Sequence, residues 1–131
     1  MASKPLKIGI IGGGQLGMYL AKAANKQNIL PFIYSNTKDA PAKKYAYKIF
    51  YGKFNDKNKL EKFFSKVDLI TYEFENISIK SISAIIKKDK IYPPLGALDI
   101  TQNREKEKKF FKKNGIKHAK TFFLNSNSDL N

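Results

Sequence analysis

A β-branched, nearly continuous apolar run over residues 6–11 ends in Gly12-Gly13-Gly14, and a helical pattern begins at once with Gln15. Such a run suits a strand buried on both faces of a parallel sheet. Gly12-Gly13-Gly14-Gln15-Leu16-Gly17 satisfies G-x-G-x-x-G between that strand and the helix. In that setting the first glycine permits a tight turn, the second leaves bare backbone for a ligand, and the third lets helix and strand approach. The exposed N–H groups of the helix start favour an anionic or electron-rich ligand. A ligand-free strand-to-helix turn is the plain structural alternative.

The rest of the chain continues the alternation. A helix is expected over 15–28, with Leu16, Leu20, Ala23 and Ala24 on its inward face. Strands follow at 29–34 and 48–51, separated by a polar loop at 35–41. Asn55 or Asp56 caps a helix carrying the stripe Leu60, Phe63, Phe64 and Val67. A fourth strand covers 67–72, and a helix over 78–88 turns Ile79, Ile82, Ile85 and Ile86 inward. Ile91-Tyr92 forms a short fifth strand stopped by Pro93-Pro94. A turn or short helix covers 95–101, and a charged helix over 102–114 is ended by Gly115 at C′. The tail 125–131 is polar and expected to be structureless. Strands alternating with helices imply an α/β, doubly wound, Rossmann-like parallel sheet. Its expected strand order is 3-2-1-4-5, with the strands at 6–11 and 67–72 adjacent. Right-handed crossovers bring the C-terminal ends of the strands to one edge, where such sheets bind ligands.

Composition narrows the chemistry. The chain has 131 residues, enough for one core. It has no cysteine and one histidine, which excludes thiolate and multi-histidine metal sites. No apolar run reaches membrane-spanning length and the N-terminus has no secretory h-region, so a soluble, cytoplasmic protein is expected. The net charge of +14 admits a nucleic-acid-binding module. Yet all but one of the 25 basic residues are lysines, scattered along the chain. A base- or phosphate-reading surface favours arginine for its bidentate fork. The charge is read as a solvated lysine surface, in a chain whose abundant Lys, Asn and Ile reflect coding bias.

Two motifs fall on the expected ligand edge, and a third opens the last helix. For a dinucleotide, the glycine motif demands an acid near the end of the second strand. Tyr34-Ser35-Asn36 stands there instead, which disfavours NAD. An NADP-binding reductase domain remains as an alternative, through Ser35, Asn36 and Lys38. Thr71-Tyr72-Glu73-Phe74-Glu75-Asn76 puts two carboxylates at the end of the fourth strand. Glu73 either accepts a hydrogen bond from a ligand amine or hydroxyl, or serves as an acid at the start of the next helix. Spacing does not choose between these. Arg104, the lone arginine, opens the last helix, where bidentate phosphate contact is the natural task and an ordinary surface role the alternative. His118 reads as a surface or packing residue.

Residues 8–17, Asp39-Ala40-Pro41-Ala42, Thr71 to Ile77, and Gln102-Asn103-Arg104 with Glu107-Lys108, Phe110-Phe111 and Gly115-Ile116 together resemble the 5-(carboxyamino)imidazole ribonucleotide synthetases of the ATP-grasp superfamily. The likeness runs from about Lys7 to about Phe122 and covers that family's N-terminal domain. It departs at Met18-Tyr19, where the family has Arg-Met, and at Lys117, where it often has proline. The resemblance implies a pre-ATP-grasp domain over 1–101, with a linker helix and the start of an ATP-grasp domain over 102–131. It implies an ATP-dependent carbon–nitrogen ligase of purine biosynthesis that carboxylates 5-aminoimidazole ribonucleotide with bicarbonate through carboxyphosphate. By the same resemblance, Gly14, Gln15 and Leu16 line the substrate site, Glu73 holds the substrate amine and Arg104 touches ATP phosphate. No catalytic or metal-binding residue is expected among these, and Mg²⁺ would be held by the ATP-grasp part. The partners implied are small molecules, without nucleic acid or membrane, and the full-length protein admits a homodimer. Family members are much longer, so this chain is expected to be a fragment without turnover of its own.

Overall fold

The computed structural model describes residues 4–86 and 88–124; the polar tail at 125–131 lies outside them. Four strands form the sheet: β1 (Lys7–Ile11), β2 (Leu30–Ser35), β3 (Lys48–Tyr51) and β4 (Leu69–Tyr72). All pairs are parallel and the order is β3-β2-β1-β4. β1 is central, with Ile10 opposite Ile33 on one side and opposite Thr71 on the other. The expected adjacency of the first and fourth strands holds. The expected fifth strand does not form. Ile91 makes a single parallel bridge to Ile70, and Tyr92 donates to the Ile70 carbonyl at 2.9 Å. Pro93 and Pro94 then bring no N–H with which to continue a ladder.

Helices cover both faces. α1 (Gln15–Lys26) lies on one face, together with a short 3₁₀ turn at Pro41–Tyr45. That turn replaces the end of the expected loop. Ile10, Ile33, Ala21 and Ala42 make the core there. α2 (Lys57–Phe64), α3 (Ile79–Ser83) and α4 (Leu95–Thr101) supply the other, larger core. It gathers Ile11, Phe32, Tyr34, Ile70 and Leu98 around Leu60, Phe63, Phe64 and Ile82. Asp56 caps α2 by accepting from the Lys59 N–H at 3.1 Å, and Leu60, Phe63 and Phe64 are buried as the sequence predicts.

Two helices differ from expectation. α1 turns Gly17, Ala21 and Ala24 inward, while Leu16, Leu20 and Ala23 face out. A helix packed this closely on the sheet takes its smallest side chains inward, and the larger apolar residues are left on the far side. α3 is shorter than expected. Its β-branched isoleucines are weak helix formers. After Ser83 the Ile85 N–H bonds the Ile82 carbonyl, which tightens the chain into a turn. Ile82 and Ile86 are nonetheless buried, and Ile79 and Ile85 pack against the same core. α5 (Arg104–Lys113) packs beside α4 with no buried residue, and Gly115 follows it at φ 65°.

Tyr34 ties the end of β2 to the core. It is fully buried, its ring sits 5.4 Å from Phe63, and its hydroxyl donates to the Lys53 carbonyl at 3.0 Å. Burial, helped by the nearby Asp56 charge, pushes its pKa up to about 12 from 10.0. A phenol whose folded pKa is raised contributes stability that is whole below pH 10 and fades as pH rises through 12. The stability advantage of the parent over Tyr34→Phe therefore falls by about 2 kcal/mol between pH 10 and 12. Urea unfolding across that range checks it, and a constant difference would contradict it.

Candidate functional site

The site begins where β1 stops. Gly12 turns at φ 115°, a conformation side chains resist, while its N–H donates to the Tyr34 carbonyl at 2.9 Å. The Gly13 carbonyl accepts from Ala42 at 3.0 Å. Gly14 is the N-cap of α1. It offers no side chain to cap with, and the first turn of α1 contains no acidic residue. The positive end of this helix thus has no local partner. Glu73 supplies one from another element. Its N–H donates to the Ile11 carbonyl at 3.0 Å, which carries the β1–β4 pairing one residue past β4. From there its side chain reaches back across the loop, and Oε1 accepts the Gly14 N–H at 3.1 Å. A carboxylate at a helix start contributes roughly 0.3–1 kcal/mol, and up to about 2 when partly buried. Glu73 does not serve the helix that follows it in sequence: α3 is capped by Ser78, which accepts from Ser81 at 3.2 Å.

Around this pair lies an open cavity of about 270 Å³. Gly12, Gly13, Gly14 and Glu73 form its floor; Ser35, Asn36, Thr37 and Pro41 form one side, and Phe54 and Phe74 the other. Ser35 is 1% exposed and its hydroxyl is engaged with Thr37, accepting from the Thr37 N–H at 3.2 Å. It is therefore committed to the turn after β2. The carboxylate of Glu73 lies in the hollow of the glycine loop, where a dinucleotide would place its pyrophosphate. Two anions cannot share one helix start, so this geometry opposes the NADP reading. Among the described residues no three His, Asp or Glu side chains gather as a metal site, and no helix is long and apolar enough to cross a membrane.

The family model of the ribonucleotide synthetase preATP-grasp domain matches residues 6–102. The chain belongs to that family. It is 33% identical over 123 residues to N5-carboxyaminoimidazole ribonucleotide synthase of Staphylococcus aureus, which covers 94% of this chain and 33% of the relative. The crystal structure of N5-carboxyaminoimidazole synthetase from the same organism superposes with a TM-score of 0.86 at 32% identity, over 98% of this chain and 35% of that one. The Aspergillus clavatus N5-carboxyaminoimidazole synthase, solved in complex with ADP and 5-aminoimidazole ribonucleotide, is similar at a TM-score of 0.75 and 27% identity, over 85% of this chain and 30% of that one. The chain thus spans about a third of the length of the curated relatives it matches.

The residues singled out from sequence fall into two groups. Gly14 and Glu73 are brought into contact on the cavity floor. Gln15 and Leu16 open α1 just beyond it, both exposed, Leu16 by 62%, and neither lines the cavity. Arg104 stands apart on the first turn of α5, its side chain 84% exposed. It donates to Glu107 at 2.7 Å, and this bond, the Glu107 charge and the more distant Glu75 raise its pKa further. His118 is exposed beside Phe111, with Nδ1 2.8 Å from the Ile116 carbonyl. Sequence reasoning missed Gln102. Its amide donates to the Ile77 carbonyl at 2.8 Å and also to that of Glu75, clipping the loop after Glu73 to the end of α4. Asn103 beside it caps α5, accepting from Lys106 at 3.0 Å. The signal for Gln102 is the Gln102-Asn103-Arg104 motif itself, in which the charged residue is the more conspicuous. Phe54 and Phe74 were also passed over, as apolar residues inside polar loops.

Gly17 faces the loop from inside α1, and a Cβ there would collide with the Gly12 carbonyl oxygen and come within 3.5 Å of Glu73 Oε1. Gly17→Ala should therefore cost about 1–3 kcal/mol, the usual penalty of overpacking a tight contact. Chemical denaturation measures this, and an unchanged unfolding midpoint would contradict the close approach.

Proposed function

We propose that this chain is the substrate-holding part of an ATP-dependent carbon–nitrogen ligase that carboxylates the amine of 5-aminoimidazole ribonucleotide. The observation that carries the reading is the Glu73 carboxylate seated on the Gly14 N–H at the floor of the cavity. With Oε1 held by the backbone, the second oxygen is free to accept an N–H from a substrate amine. That bond turns the amine's lone pair away from the carboxylate, toward an incoming carbonyl carbon. The reaction consumes ATP and bicarbonate: bicarbonate takes the terminal phosphoryl group as carboxyphosphate and ADP is released; the amine nitrogen then attacks the carboxyl carbon, the C–O bond to phosphate breaks, and the nitrogen gives up a proton to the departing phosphate. The ligands bound by the Aspergillus clavatus relative, ADP and 5-aminoimidazole ribonucleotide, are the nucleotide product and the amine substrate of this chemistry.

Other parts of the reading rest on the resemblance. Gln15 and Leu16 approach the substrate from the first turn of α1. Arg104 exchanges Glu107 for an ATP phosphate, which its exposed position permits. Residues 1–101 form the substrate domain, and residues 102–131 link it to the nucleotide-grasping part. Mg²⁺ accompanies ATP in such ligases, and the described residues offer no ligand set that fits it. A cytoplasmic setting, a homodimer and a role in purine biosynthesis belong to the same proposal.

Glu73→Gln keeps the size of the side chain and loses the charge-assisted acceptor. It is expected to weaken 5-aminoimidazole ribonucleotide by roughly 10- to 150-fold, the equivalent of about 1.5–3 kcal/mol. Calorimetric titration of parent and variant chains tests this. Equal affinities, or tight binding of NADPH by the parent, would overturn the reading.

A further inference from the structure

We propose that Phe54 and Phe74 form a stacking wall that makes the glycine-loop cavity selective for a flat aminated heteroaromatic ring. The inference rests on the reading above and adds the determinant of ring recognition. The two side chains come from different loops, yet their centroids are 5.0 Å apart at an interplanar angle of 30°. Both line the cavity that has Glu73 in its floor. Phe74 remains 36% exposed, so part of its ring has no partner from the chain.

The backbone beside each ring is tied down. Ahead of Phe54, the Lys53 carbonyl accepts from Tyr34 at 3.0 Å, and Gly52 donates to the Ser35 carbonyl at 3.0 Å. The Phe54 ring also packs at 6.1 Å against the buried Tyr34 ring. Phe74 lies between Glu73, held by the Ile11 carbonyl and the Gly14 N–H, and Glu75, whose carbonyl Gln102 grips. Rings fixed in this way lose little freedom when a ligand stacks on them. A cavity of about 270 Å³ accommodates a five-membered ring with its exocyclic amine and leaves ribose and phosphate toward solvent. Glu73 then reads the amine edge while the aromatic wall reads the face, and a sugar phosphate without a ring satisfies neither.

The test titrates 5-aminoimidazole ribonucleotide into the parent chain and into Phe54→Leu, Phe74→Leu and Phe74→Tyr, with ribose 5-phosphate as the ringless probe. Base–aromatic stacking predicts a loss of about 5- to 150-fold for each leucine variant. Phe74→Tyr restores the π-face and should bind within about threefold of the parent, well inside the span of one stacking contact. Ribose 5-phosphate, which meets neither Glu73 nor the wall, should show the same weak or absent binding to parent and variants alike. Phe122→Leu, at a residue 73% exposed and outside the cavity, should bind as the parent does. A second readout does not depend on variant folding: the ligand's ring protons should move upfield on binding to the parent chain. If the ligand binds, weakens with Glu73→Gln, but binds both leucine variants as it binds the parent, the wall is overturned and the functional reading stands. Absence of the upfield shift also overturns the wall. If the parent chain binds no 5-aminoimidazole ribonucleotide, both fall.

Discussion

A helix that starts on glycine, with no capping side chain and no acid in its first turn, leaves its positive end open. In this chain a carboxylate 59 residues further along closes it, when Glu73 Oε1 accepts the Gly14 N–H. The contact is available only because β4 pairs directly with β1 and the pairing runs on to Glu73. Topology, loop and helix start are therefore joined in one hydrogen bond. The same bond places a carboxylate where a pyrophosphate would otherwise meet the helix start, and under the proposed function its second oxygen is the acceptor for a substrate amine.

Two further ties keep this arrangement in place. Tyr34 reaches from the end of β2 to the loop that carries Phe54, and Gln102 reaches from the end of α4 to the loop that carries Phe74. Both use side-chain donors on backbone carbonyls, so the loops are fixed by elements whose own positions follow from the core. Tyr34 belongs to that core directly, packed against Phe63. The cavity wall is thus continuous with the hydrophobic interior, and the glycine loop is where that interior opens to solvent.

The sequence disclosed the β1–glycine–α1 unit, the four parallel strands and the α2 stripe because each rests on a local pattern. Periodicity failed for the inward face of α1. Leu16 and Leu20 carry the stronger hydrophobic signal, but close packing against the sheet selects Gly17, Ala21 and Ala24. It failed again at Ile91, where a strand-like pair, Ile91-Tyr92, runs into two prolines and makes one bridge. At the site, the residue types were legible and their partners were not. Glu73 stands before α3 in sequence, and only the crossover places it at the start of α1. Gln102 stands in a legible motif, but its acceptors lie 25 and 27 residues earlier and no local pattern points to them.

The proposed function rests on one carboxylate shared between a helix start and a substrate amine. A crystal structure of the chain with 5-aminoimidazole ribonucleotide tests this most directly. The expected result is the exocyclic nitrogen within about 3.2 Å of a Glu73 oxygen, hydrogen-bond distance, with the Gly14 N–H still donating to the same carboxylate. A ligand phosphate seated on the Gly14 N–H, with Glu73 displaced from the loop, would contradict it.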